Sequence, residues 1–145
     1  MAGYGVFAQV YDKLTLNVPY DQIAEYYDGK IRKFRDGDGN FLADAGCGTG
    51  NLTARLARLG YDVIGAEPSP DMLSEAMNKP HDGVQYICQD MTELDLYGEA
   101  DIIVSTLDSV NHLSSAADIT KFFRAAALNL RRGGLLLFDF NTIYK

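Results

Sequence analysis

The sequence predicts an α/β fold: an open, doubly wound, mainly parallel sheet of five strands, preceded by a helical N-terminal segment. Three observations carry this. From residue 41 onward, short apolar runs alternate with stretches of helical periodicity. The runs are apolar at nearly every position rather than at alternate ones, as strands covered on both faces require. The first run ends in a glycine-rich loop, Asp44 to Gly50, that opens a helix. Ligands on open parallel sheets bind beyond the carboxyl ends of the strands, at the switch point beside the first strand.

Each element has its own signal. Phe7, Val10, Tyr11 and Leu14 share one helical face near the N-terminus. Pro19 and Asp21 open a second helix with Ile23, Tyr27, Ile31 and Phe34 inward. The turn cluster at 36–40 (DGDGN) leads into the first strand at 41–45. Residues 51–59 carry Leu52, Leu56 and Leu59 at helical spacing, with Gly60 where a C-terminal glycine belongs. The second strand is 62–66. Ser69 then caps a helix that starts at Pro70, buries Met72, Leu73 and Ala76, and stops before Pro80. The third strand is 84–88 and the fourth 101–106. A long helix at 116–131 turns Ile119, Phe122, Phe123, Ala126 and Leu130 to one side, and Gly133-Gly134 break it ahead of a fifth strand at 135–140. The chain divides at residue 40 into an N-terminal helical segment (1–40) and the sheet domain (41–145).

Composition narrows the function. Twenty acidic and thirteen basic residues leave a formal net charge of −7 and a pI of about 4.6. Nucleic-acid binding needs the opposite footprint. The longest apolar run, 135–138, is too short to span a bilayer, and the N-terminus lacks a secretory pattern. Cys47 and Cys88 form no disulfide framework, so the expectation is a cytoplasmic protein with reduced thiols. His81, His112 and the two cysteines show no metal-ligand spacing.

The loop DAGCGTG decides the ligand class. Gly46, Gly48 and Gly50 let the backbone approach a ligand without obstruction from Cβ atoms. The first amides of the following helix face that ligand without intrahelical partners. No Gly-Lys-Ser/Thr ending is present, and the G-x-G-x-G spacing departs from the dinucleotide G-x-G-x-x-G. A nicotinamide cofactor is therefore disfavoured. Asp44 repels a pyrophosphate and suits an amine. A ligand that combines an ammonium, a carboxylate and a ribose fits best. Glu67, at the end of the second strand, stands where an acidic side chain can accept both ribose hydroxyl hydrogens.

These residues resemble a class I S-adenosylmethionine-dependent methyltransferase of Rossmann-like fold. The chain is most similar to small bacterial methyltransferases with YDKL near the N-terminus (Tyr11 to Leu14), CQDM after the third strand (Cys88 to Met91), LDS after the fourth (Leu107 to Ser109) and FDxNT after the fifth (Phe138 to Thr142). The resemblance implies S-adenosyl-L-methionine as cofactor and S-adenosyl-L-homocysteine as product. It implies that Tyr11 reaches over the cofactor and that Asp44, Gly46, Cys47, Gly48 and Gly50 cradle its methionine end. Met72 packs on the adenine, Asp90 bonds the adenine amino group, Met91 meets the ring through its amide, and Leu107 lines the pocket. Cys47 serves as a small filler, with no base placed to activate it. Asp108 and His112 are the candidate bases if the acceptor must lose a proton. The partner implied is a small-molecule methyl acceptor. A binding module that holds the cofactor without catalysis is the alternative. Such folds usually carry two further strands beyond the fifth, so the chain reads as the cofactor half of the fold, either a fragment of a longer protein or a short form whose open edge a partner covers. An edge strand at 135–140 would then invite self-association.

Overall fold

The computed structural model describes residues 18–80, 83–106, 113 and 115–139. The helix expected around Phe7 to Leu14, and Tyr11, Leu107, Asp108 and His112, lie outside the described residues. In chain order the elements are α1 (Tyr20–Phe34), β1 (Phe41–Ala45), α2 (Asn51–Arg58), β2 (Asp62–Ala66), α3 (Pro70–Met77), β3 (Gln85–Ile87), a 3-10 turn (Met91–Glu93), β4 (Ala100–Ser105), α4 (Ala116–Asn129) and β5 (Leu130–Phe138). The strands form one sheet in the order β3-β2-β1-β4-β5, every pair parallel. The order reverses beside β1, so the carboxyl ends of β1 and β4 diverge into the crevice that such sheets use for ligands.

Two apolar clusters sandwich the sheet. On one face Leu42, Val63, Ile102 and Val104 pack with Leu52 and Leu56 of α2 and with Tyr20, Ala24, Tyr27 and Ile31 of α1. On the other, Ala43, Ala45, Ala66 and Ile103 pack with Phe122, Ala125 and Ala126 of α4 and with Met91, Leu94 and Leu96 around the 3-10 turn. The alternation of strand side chains sends neighbours to opposite layers, which is why the strands read as continuously apolar. Among the described residues no helix is long and apolar enough to cross a membrane.

Several expected details are corrected. The helix expected at 116–131 ends at Asn129, and the fifth strand starts at Leu130 rather than 135. The guanidinium of Arg131 explains the early start. It binds the Asp101 carboxylate at 2.6 Å and also donates to the Asp36 carbonyl, which holds the segment against the sheet. Between the pairs Ala100–Leu130 and Ile102–Leu135, five residues of β5 advance against two of β4, so Arg131 to Gly134 bulge outward. The buried face of α4 is Phe122, Ala125, Ala126 and Asn129, while Phe123 is exposed. Phe34, expected inward, is exposed at the end of α1, and Leu59 is also exposed. Tyr20 and Ala24 take the inner positions on α1 together with Tyr27 and Ile31.

Asn129 is polar and buried because its amide is fully used. Its Nδ2 donates to the carbonyls of Leu94 and Ala125, each at 2.7 Å, and its Oδ1 accepts from Leu96 N at 2.8 Å. One side chain thus ties the end of α4 to the loop that follows the 3-10 turn.

Candidate functional site

At the carboxyl end of β1 the chain turns through Gly46, Cys47, Gly48 and Thr49 into α2. Gly46 N and Cys47 N both donate to the Ala66 carbonyl at the end of β2, at 2.8 and 3.0 Å, and fasten the loop to the neighbouring strand. Gly48 and Gly50 have φ of +60° and +81°, in the left-handed region. They differ in surroundings. A Cβ on Gly50 would overlap the Tyr86 hydroxyl, whereas a Cβ on Gly48 would meet no atom within 4 Å. Gly50 is small because the protein packs behind it. Gly48 borders open space. α2 begins at Asn51, and its N-cap, Gly50, offers no side-chain bond to the first amides of the helix.

Asp44 lies beneath the loop and is almost wholly buried, at 2% exposure. Thr53 Oγ1 donates to its Oδ2 at 2.8 Å. Its Oδ1 is buried and has no hydrogen-bond partner among the described residues. Burial pushes the Asp44 carboxyl up to about 6, the Thr53 bond works against the rise, and the nearby Glu67 carboxylate adds to it. An unpaired buried carboxylate is costly, so a cation that reaches it binds strongly.

Glu67 directly follows β2 and is 8% exposed. Its two oxygens accept from loop amides, Oε1 from Gly48 N and Oε2 from Ser69 N, each at 3.0 Å. It therefore shapes the glycine loop as well as bordering it. Ser69 in turn accepts from Met72 N at 3.2 Å, which caps α3 and sets Met72, itself buried, at the rim. Across β3, Asp90 caps the 3-10 turn, with Oδ1 accepting from Thr92 N and Thr92 Oγ1 at 2.8 and 2.7 Å. Met91 follows it, buried. Cys47 sits in the loop with its thiol pushed up by burial and by the Asp44 and Glu67 carboxylates, so it is protonated and no nucleophile at neutral pH.

The structure thus brings Asp44, Gly46, Cys47, Gly48, Gly50 and Glu67 together at one end of the sheet, with Met72 on α3 and Asp90 and Met91 beyond β3. Three supporting residues were missed. Thr53 is fully buried against Asp44. The Tyr86 ring fills the space behind Gly50. Gly65, paired with Tyr86 across β2 and β3, leaves room for that ring: a Cβ there would stand 2.8 Å from its carbons and 3.0 Å from Cys47 Sγ. A glycine inside a strand, and a threonine beside two leucines on the inner face of a helix, are the signals that could have found them.

A parallel sheet with this reversal point, a glycine loop against its first strand and an acidic residue ending its second defines a nucleoside-binding α/β domain. A family profile described as "Methyltransferase domain" matches residues 42–134. The chain belongs to that family, the S-adenosylmethionine-dependent methyltransferase domains. It is 34% identical over 145 residues to YqeM of Bacillus subtilis (strain 168) and to a protein of Geobacillus sp. (strain WCH70), both named as candidate methyltransferases. Each alignment covers 98% of this chain, but 57% and 59% of the relative. A solved S-adenosylmethionine-dependent methyltransferase from Clostridium acetobutylicum ATCC 824 is 34% identical, with a TM-score of 0.79 over 98% of this chain and 59% of that one. An amino pentose methyltransferase from Micromonospora echinaspora, solved with S-adenosylmethionine bound, is 28% identical, with a TM-score of 0.83 over 92% of this chain and 56% of its own. The chain spans under three fifths of the length of these relatives.

Proposed function

We propose that the chain is the cofactor-binding part of an S-adenosylmethionine-dependent methyltransferase that passes a methyl group to a nitrogen, oxygen or carbon of a small molecule in the cytoplasm. The observation that carries this is the buried, unpaired Asp44 Oδ1 beneath a glycine loop whose Gly48 borders open space. Those features fit a ligand with a cationic amine and a backbone-hugging tail, and the family match supplies the chemistry. The small-molecule class rests on relatives. The one from Micromonospora is an amino pentose methyltransferase, and a solved relative from Streptoalloteichus sp. ATCC 53650, 28% identical, is a sugar N-methyltransferase.

When bound, S-adenosylmethionine supplies a methyl group already activated on a sulfonium. The work left to the protein is orientation and exclusion of water. Asp44 would hold the ammonium, and Gly46, Cys47, Gly48 and Gly50 would let the methionine end lie against the loop. Glu67 would accept the ribose hydroxyl hydrogens. Met72 and Met91 would flank the adenine, with Asp90 bonding its amino group. Tyr11, in a segment 1–40 that would close over the pocket, would reach over the cofactor, and Leu107 would line the pocket. Asp108 or His112 would take a proton only where the acceptor must lose one.

Incubation with methyl-labelled S-adenosylmethionine and a panel of small amines and hydroxyl compounds tests this. Label should move to at least one acceptor. Tight binding of S-adenosylhomocysteine without transfer to any of them would mark a binding module instead.

A further inference from the structure

We propose that Thr53 is a positioning residue for the cofactor: its hydroxyl holds one oxygen of Asp44 so that the other is left for the ligand's amine. The proposal rests on the reading of Asp44 given under Proposed function and adds the device that makes Asp44 usable. Thr53 stands in the first turn of α2, fully buried, and donates to Asp44 Oδ2 at 2.8 Å. Asp44 Oδ1 has no partner among the described residues. One carboxylate oxygen is therefore fixed by a neutral donor and the other is unspent. A single short bond from a β-branched side chain on a helix also sets the plane of the carboxylate, because Thr53 has few rotamers open to it.

The electrostatics make that bond matter. Among the described residues, the titratable groups that act with Asp44 are Glu67 just after β2, Cys47 in the loop, Tyr86 on β3 and Tyr27 on α1. All four are acids, and none supplies a positive charge. Burial and Glu67 both disfavour a charge on Asp44, and the Thr53 hydroxyl is the group that opposes them. A carboxylic acid cannot pair with an ammonium as a carboxylate does. Removing the hydroxyl should therefore weaken amine binding most at a pH where Asp44 is only partly ionised, and least where it is fully ionised.

The test compares the full chain with Thr53→Val, which keeps the shape and removes the donor, and Thr53→Ser, which keeps the donor. Two readouts are taken from pH 5 to 8.5: the carbon-13 titration of the Asp44 carboxyl without ligand, and the affinity for S-adenosylhomocysteine by calorimetry. In Thr53→Val the Asp44 midpoint should move to higher pH. Its affinity should fall about tenfold or more near pH 6.5, the worth of one hydrogen bond to a charged acceptor, and recover most of that loss by pH 8.5. Thr53→Ser should follow the unaltered chain in both. Equal loss of affinity at every pH, or unchanged midpoints in Thr53→Val, would overturn the role of Thr53 while leaving the cofactor site standing. A shifted midpoint with an unshifted binding profile would show that the amine does not meet Asp44, and would overturn the positioning role with it. If the unaltered chain fails to bind S-adenosylhomocysteine, the reading of the site fails, whereas the carboxyl titration still decides whether Thr53 governs Asp44.

Discussion

Asp44 costs the folded chain stability, and on the proposed reading it is the group that meets the cofactor's amine. Its folded-state pKa of about 6 lies above the 3.8 of a free carboxyl. Its contribution to stability is therefore fully present below about pH 4 and is lost as the pH rises through 6. At neutral pH the two-unit rise corresponds to about 3 kcal/mol. Asp44→Asn should make the ligand-free chain more stable in urea at pH 7.5, and the gain should shrink by pH 4.5. The same variant should lose affinity for S-adenosylhomocysteine. A variant less stable than the parent at both pH values would contradict this. That Asp44, the three loop glycines and Glu67 gather at one end of the sheet was legible in the sequence, because a strand–loop–helix turn and the end of the next parallel strand are local signals. Thr53 and Tyr86 were not. A glycine inside a strand and a threonine on the inner face of a helix mark the positions, but the contacts depend on which helix turn and which neighbouring strand meet beneath the loop.

Within the glycine loop Gly50 accommodates the packed Tyr86 ring, whereas Gly48 borders open space, which the proposed function gives to the cofactor. Gly48→Val places a branched side chain where a Cβ finds no neighbour, at a φ that such residues rarely adopt. S-adenosylhomocysteine binding should be lost by calorimetry, while far-UV circular dichroism keeps its native shape. Retained binding would put the ligand elsewhere. The elements themselves were largely readable, β1, β2 and α3 almost to the residue, since caps and apolar runs are local. The junction between α4 and β5 was not. Arg131 and the two glycines look like a helix terminus, yet Arg131 is drawn into the sheet by Asp101, thirty residues away in sequence. The inner face of α4 was misplaced for a related reason. Asn129 is buried through bonds to Leu94 and Leu96, and a count of apolar residues passes over a polar side chain of that kind.

Across the whole molecule, β5 is an edge among the described residues, paired only with β4. Leu135 and Leu137 pack toward the α1 and α2 layer, Leu136 and Phe138 toward the α4 layer, and all four are only half-buried. An apolar edge strand of this kind is a template for pairing. The 145-residue polypeptide should therefore self-associate through it. Light scattering at several concentrations checks this, with slow amide exchange at 135–138 in a clean monomer as the contrary result. The parallel, doubly wound sheet was legible because alternating strand and helix leave few topologies, whereas the motifs do not specify a methyl acceptor. The most direct test of the cofactor site is calorimetric titration of the chain with S-adenosylhomocysteine and, separately, with NAD. Saturable binding of S-adenosylhomocysteine and little heat from NAD is the expected result. Binding of NAD in preference would contradict the site as described.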